Sequence, residues 1–198
     1  MKDAYVIDVF QTMIDVPGLA DLLADNPEFQ NLNKESTTKD QKRNLVAILD
    51  DKVTKGEIEF VEVPGTRKVL DYLAGNATLV AYSSGTMYSI DCMLEQSGLE
   101  VYFPESLRLS DSETLKVSKK DATGYNVLQD RLGKKGLQVK LFVDDTELNV
   151  VAARNSNIGI PSLYHLERED SGLLVPKQMM GYQKIGGLDQ MKEMKKGV

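Results

Sequence analysis

The chain has 198 residues, a formal charge of −6 and ordinary hydrophobic content with both signs of charge interspersed. That length buries a real core and suits one domain with an insertion, while the acidic balance argues against a nucleic-acid or anionic-membrane partner, which needs a basic stripe. A single cysteine, Cys92, excludes an internal disulfide and a cysteine metal cluster, and a single histidine, His165, nearly removes histidine-based zinc sites and serine-triad chemistry. No stretch reaches the apolar length of a membrane span, and the first residues lack a basic segment followed by an apolar signal core, so a cytoplasmic location is expected.

The apolar run YVID predicts a first strand at about residues 4–9, leading into Asp8. From about residue 15 to 62 the pattern turns polar and helical, with Leu45, Ile48 and Leu49 on one apolar face and no convincing strand before IEFVEV. VPGTRKVLDYLA then reads as a turn and a helix with Val69, Leu70 and Leu73 inward, and TLVAY as the next strand. Met87, Ile90, Met93 and Leu94 predict an amphipathic helix ended by Gly98. A strand is expected near Leu107 to Leu109, and a helix from Asp121 to Leu132 burying Ala122, Tyr125, Leu128 and Leu132. VKLFV is a further strand, followed by a helix carrying Leu148, Val151 and Ala152. A short strand near Ser162 to Tyr164 and a C-terminal helix marked by Leu188, Met191 and Met194 complete the reading. Strand and helix in alternation predict an α/β fold: a Rossmann-like parallel sheet with helices on both faces. Residues 1–14 and 63–198 form the core domain in this reading, and residues 15–62 a small helical cap insertion over the strand ends.

Chemistry in an open parallel sheet collects at the carboxyl ends of the strands, and several polar residues stand at such ends. Asp8 is followed four residues later by Thr12, a carboxylate suited to hold a metal or act as nucleophile and a hydroxyl suited to a phosphate or a turn. Ser83, Ser84 and Gly85 follow a strand and open a helix, where hydroxyls and unpaired amides attract an anion. Lys119 precedes a helix and can neutralise a phosphate and keep Asp8 ionised. Asp144 and Asp145, with Asn149, follow an all-apolar strand, where adjacent acids are costly unless a cation offsets them. Hard oxygen ligands without His or Cys point to magnesium. Each feature alone has a plainer reading: a turn cap for Asp8, serine N-capping at Ser83, a solvated lysine, and an N-cap with a first-turn acid at Asp144. His165 in SLYHLERED reads as a surface or hinge histidine, Cys92 as a buried small hydrophobe, and Tyr125 as core.

Together DVFQT, YSSGT, SKKDATGY and FVDDTELN resemble, in order and spacing, the four motifs of the haloacid dehalogenase superfamily, a group dominated by phosphatases. YSSG, the SK pair and a tyrosine six residues past the lysine are similar to the enolase-phosphatases of methionine salvage. The resemblance implies Asp8 as the nucleophile that becomes an aspartyl-phosphate, Thr12 and Ser83 as ligands of phosphoryl oxygens with Ser84 and Gly85 beside them, and Lys119 as their counter-charge. It implies magnesium held by Asp8, the carbonyl of Phe10 and Asp145, with Asp144 in support, and a small phosphorylated molecule as substrate.

The chain departs from that pattern at Phe10 and Gln11. Phosphatases of the family usually carry a second acid where Phe10 stands, and losing a general acid-base forfeits about 10²- to 10⁴-fold in rate. An aromatic there resembles the metal-independent dehalogenases, whose fourth motif lacks paired acids. Three readings follow: a magnesium-dependent phosphatase favouring a good leaving group such as an acyl or enol phosphate, or served by a cap acid such as Glu35 or Asp40; a 2-haloacid dehalogenase using Asp8 to attack carbon; and a binding protein without turnover. The paired acids favour the first, because halide displacement has no use for a cation.

Overall fold

The apolar run that opens the chain lies at the centre of a six-stranded parallel sheet. The computed structural model describes residues 1–19, 47–48, 51–166, 182–186, 188 and 191. The strands are β1 (Lys2–Ile7), β4 (Thr78–Ser83), β5 (Arg108–Ser110), β6 (Leu137–Asp144), β7 (Ser162–Leu166) and β8 (Gln183–Ile185), in the order β5-β4-β1-β6-β7-β8. Every pairing in this sheet is parallel. From β1 the chain builds outward to β4 and β5, then crosses to β6 on the other side. The order therefore reverses at β1, and the crevice above its carboxyl end is the place where such sheets bind ligands.

Both faces of the sheet are covered, which is why its strands read as continuous apolar runs rather than alternating ones. Tyr5 and Ile7 of β1 face helices α1 (Thr66–Ala74) and α2 (Met87–Ser97), in a cluster with Leu70, Leu73, Ile90 and Leu94. Ala4 and Val6 face α3 (Ala122–Gly133) and α4 (Glu147–Arg154), with Tyr125, Leu128, Val150 and Ala153. Fully burying each Leu, Ile or Val side chain contributes about 1.5–3 kcal/mol. A register shift sets Ala4 opposite Val139 but Tyr5 opposite Leu141, leaving Lys140 as an extra residue in β6. The shift puts Leu141 and Val143 in the first cluster and Phe142 in the second, so Asp144, two residues beyond Phe142, turns toward α3 and α4.

The inward residues of α4 are Val150, Ala152 and Ala153, whereas Leu148 is 59% exposed and Val151 is half-buried. The eight-residue helix is too short for periodicity to fix its phase. Several expectations are corrected. Ala122 is half-buried, and Gly124 takes the buried place in the first turn of α3. Cys92 is half-buried rather than enclosed. β2 (Ile14–Asp15) pairs antiparallel with β3 (Val61–Glu62), a ribbon too short to leave an apolar signature. It joins the two ends of the segment read as a cap, so that segment leaves and rejoins the core at one place. Leu45, Leu49, Glu35, Asp40 and Met194 lie outside the described residues. Strand β8 was not anticipated; it extends the sheet beside β7. Among the described residues, no helix is long and apolar enough to cross a membrane.

Candidate active site

The carboxyl ends of β1, β4 and β6, three adjacent strands, deliver Asp8, Ser83 and Asp144 to one crevice. Their polar side chains are buried: Asp8 is 5% exposed, Ser83 3%, Lys119 1% and Asp144 0%. Lys119 arrives from the loop before α3 and organises the floor. Its Nζ lies 2.5 Å from Asp8 Oδ1 and 2.7 Å from Asp144 Oδ2, and it donates to the Tyr82 carbonyl at 2.9 Å. The ammonium also sits over the Tyr82 ring, 4.9 Å from its centroid, so its position is fixed from several sides. Gly124 makes this approach possible, because a Cβ there would stand 2.8 Å from the Ser118 carbonyl oxygen, next to Lys119.

The charges do not balance, and the protonation equilibria reflect it. Burial pushes the Asp8 carboxyl well above the ordinary carboxylate range; Lys119 opposes that shift, while Asp144 and Asp145 add to it. Burial works against the charge on Lys119 as well, but Asp144 and then Asp8 outweigh it and hold the ammonium above the usual lysine value. Three carboxylates around one lysine leave the crevice negative and receptive to a cation.

Asp8, Asp144 and Asp145 each offer a carboxylate oxygen, and these oxygens lie within 4.8 Å of one another. Their roles differ. Asp144 is fully engaged: Oδ1 accepts from Thr146 N at 2.8 Å and Asn149 Nδ2 at 2.9 Å, and Oδ2 pairs with Lys119. Asp8 commits only Oδ1 to Lys119. Asp145 is half-buried and lines the cavity above. Hard, negatively charged oxygens without nitrogen or sulfur suit magnesium. Asp8 and Asp145 could hold such an ion, while Asp144 fixes Lys119 and the following turn.

The first and fourth motifs are tied together directly. Thr12 is fully buried, and its Oγ1 accepts a hydrogen bond from Asp145 N at 3.1 Å. It does not line the cavity, so its visible part is to set the Asp145 backbone against the first loop. In that loop Gln11 adopts φ 62, a left-handed conformation uncommon outside glycine. The half-buried Phe10 side chain lines the cavity beside Asp8.

Ser83, Ser84 and Gly85 line the opposite rim. The cap of α2 is Thr86, whose side chain accepts from Ser89 N at 3.2 Å, so neither Ser83 nor Ser84 is consumed as an N-cap. Ser83 Oγ accepts from Gly85 N at 3.4 Å. Ser84 Oγ donates to Asp111 Oδ2 at 3.1 Å, and the same oxygen accepts from Lys119 N at 3.1 Å. Asp111 thereby links the second motif to the third. It begins the π-helical turn Asp111–Leu115 directly after β5, the same signal of an acid at a strand end that marked Asp8 and Asp144.

His165 is not a surface or hinge residue. It lies in β7 opposite Asp144, is 7% exposed, and its Nε2 is 3.0 Å from the Asp145 carbonyl oxygen. A carbonyl only accepts, so Nε2 carries the proton in this contact. The ring meets Tyr182 edge to face, and the Tyr182 hydroxyl donates to Glu147. Tyr125 is core, as expected: it is fully buried, its ring packs edge to face on Phe142, and its hydroxyl donates to the Asn149 carbonyl at 2.8 Å.

No family model and no curated protein sequence matches the chain. Solved structures do. An L-2-haloacid dehalogenase from Xanthobacter autotrophicus superimposes with a TM-score of 0.66 at 17% identity, covering 100% of both chains. A HAD phosphatase from Thermococcus onnurineus gives 0.65 at 17% identity, over 100% of this chain and 99% of that one. A HAD-superfamily hydrolase of subfamily IA from Geobacter sulfurreducens gives 0.58 at 16% identity, over 98% and 96%. The chain has the haloacid dehalogenase fold. Neighbours of this fold include both phosphatases and dehalogenases, and a fold by itself fixes no chemistry.

Proposed function

We propose that the chain is a magnesium-dependent hydrolase of small phosphorylated molecules, working through an aspartyl-phosphate on Asp8. The observation that carries this reading is the cluster of Asp8, Asp144 and Asp145, whose carboxylate oxygens lie within 4.8 Å around one lysine. A displacement of halide from carbon gives such a cluster no task, whereas transfer of a phosphoryl group needs its charge neutralised and its geometry fixed. Magnesium held by Asp8 and Asp145 would supply that neutralisation. The Phe10 carbonyl remains a proposed third holder.

In this mechanism a carboxylate oxygen of Asp8 attacks phosphorus and the leaving group departs. Water then attacks the aspartyl-phosphate, freeing phosphate and restoring Asp8. Lys119 keeps Asp8 oriented and opposes the burial that favours its protonated form. The Ser83 hydroxyl and the Gly85 amide, joined to each other by a long 3.4 Å bond, offer donors to phosphoryl oxygens at the rim, with Ser84 beside them. Among the described residues around the cavity, Phe10 holds the position usual for a second acid, so turnover favours leaving groups that need little protonation.

Acetyl phosphate hydrolysis, measured with magnesium and after chelation, tests the reading. Magnesium-dependent release of phosphate and tight inhibition by beryllofluoride, a mimic of phosphate on Asp8, are the expected results. Halide release from 2-chloropropionate that is indifferent to chelation would overturn it.

A further inference from the structure

What the phosphate is attached to can be read from the wall of the same cavity. Phe10, Val16, Val53, Ile58, Phe60 and Met93 line it beside the acids. Val16, Val53 and Ile58 form their own small buried cluster, with Phe10 and Phe60 packed against it. Among the described lining residues the charged ones are Asp8, Asp144 and Asp145, and none is basic. A sugar, a nucleotide or a second carboxylate placed against this wall would lose water without gaining a partner. The cavity measures about 250 Å³. An apolar cavity of about 150 Å³ holds benzene, so there is room for one ring.

Phe10 makes the same demand from the chemical side. An apolar side chain cannot hand a proton to the departing oxygen, so that oxygen must leave as a stable anion. Resting on the proposed function, we infer that the substrate is a phosphate ester or mixed anhydride whose leaving group is apolar, otherwise uncharged, about one ring in size and weakly basic: an aryl or aromatic acyl phosphate. The bond from Asp8 to phosphorus forms as the bond from phosphorus to the leaving oxygen breaks. That oxygen keeps the electron pair and departs as a phenolate or carboxylate. The attacking water of the second step gives its proton to solvent, and Asp8 leaves phosphorus as a carboxylate.

The test is steady-state kinetics of the full chain with magnesium on five compounds: benzoyl, acetyl and succinyl phosphate, and phenyl and 2,4-dinitrophenyl phosphate. Benzoyl phosphate should exceed acetyl phosphate in kcat/KM by at least about 10-fold, mainly through KM, the scale of a methylene-sized gain in a fitted pocket. Succinyl phosphate, with its second carboxylate, should fall below acetyl. The dinitrophenyl ester should exceed the phenyl ester by at least about 10²-fold, the lower bound of what a missing general acid withholds. Phe60→Ser should narrow the benzoyl-to-acetyl ratio, and Phe10→Asp the dinitrophenyl-to-phenyl ratio. Inhibition of the unsubstituted protein also reads the wall: benzoate should compete with acetyl phosphate more strongly than acetate does. Equal rates on benzoyl and acetyl phosphate, a preference for succinyl phosphate, or equal rates on the two aryl esters would overturn the inference while leaving the phosphatase reading intact. Inactivity toward all five would overturn that reading, and this inference with it.

Discussion

The floor of the cavity and its wall meet at Asp8 but are held in opposite ways. The floor is a buried polar network: Lys119, Asp8, Asp144, Asn149 and the Thr12–Asp145 link reach one another from several distant stretches of sequence. The wall is a small apolar cluster of Val16, Val53 and Ile58, with Phe10 and Phe60 packed on it. Removing the single cation of such a network leaves its acids buried and unpaired. An apolar cluster tolerates changes of size at modest cost. The floor therefore fixes the chemistry, and the wall is free to set what is accepted.

Breaking the floor at Asp8 carries the largest expected effect. Asp8→Asn should lower phosphate release from acetyl phosphate by about 10⁴-fold or more, because it removes the nucleophile. The same variant should be more heat-stable than the parent without metal at neutral pH. Asp8 binds its proton more tightly in the folded chain than in the unfolded one. Its contribution is therefore greatest below the ordinary carboxylate range and is lost as pH rises through the raised value. Melting curves should show the advantage of Asp8→Asn near zero at about pH 4 and growing toward pH 8.

Lys119→Met comes next. It leaves Asp8 and Asp144 buried without their counter-charge and should cost about 3–5 kcal/mol in denaturant unfolding at neutral pH. Acidification should recover part of that loss, as Asp8 protonates. His165→Phe should sharpen the comparison from outside the ligand set. Losing the hydrogen bond to the Asp145 carbonyl should weaken magnesium binding about 10-fold by calorimetry, the low end for residues that orient metal ligands. His165→Gln, which keeps a donor, should recover most of it. Ile58→Val in the wall should have the smallest effect, about 0.5–1.5 kcal/mol in unfolding with magnesium affinity unchanged.

The legibility of the sequence follows the same division. Strands buried on both faces leave unbroken apolar runs, so β1, β4 and β6 and the residues at their ends could be read directly. Lys119 became interpretable only beside Asp8 and Asp144, because a lysine in a polar loop carries no sign of burial by itself. The sequence does not single out Asp111 and gives His165 a surface or hinge reading for a related reason: each has a backbone partner, the Lys119 amide and the Asp145 carbonyl, and backbone partners have no sequence pattern. Two turns of helix bear too few apolar residues to define a face, so the phase of α4 shows only in the structure. The β2–β3 ribbon and strand β8 are two and three residues long, below the length at which alternation is visible.

The central claim is that Asp8 and Asp145 share one divalent ion at the mouth of the sheet. A crystal grown with manganese, which takes the same oxygen ligands as magnesium, tests it through the anomalous signal of the metal. A single peak within bonding distance of both carboxylates, close to the roughly 2.0–2.1 Å of magnesium–oxygen bonds, is the predicted result. With manganese in excess, Lys119 still bridging Asp8 and Asp144 and no peak between Asp8 and Asp145 would contradict it.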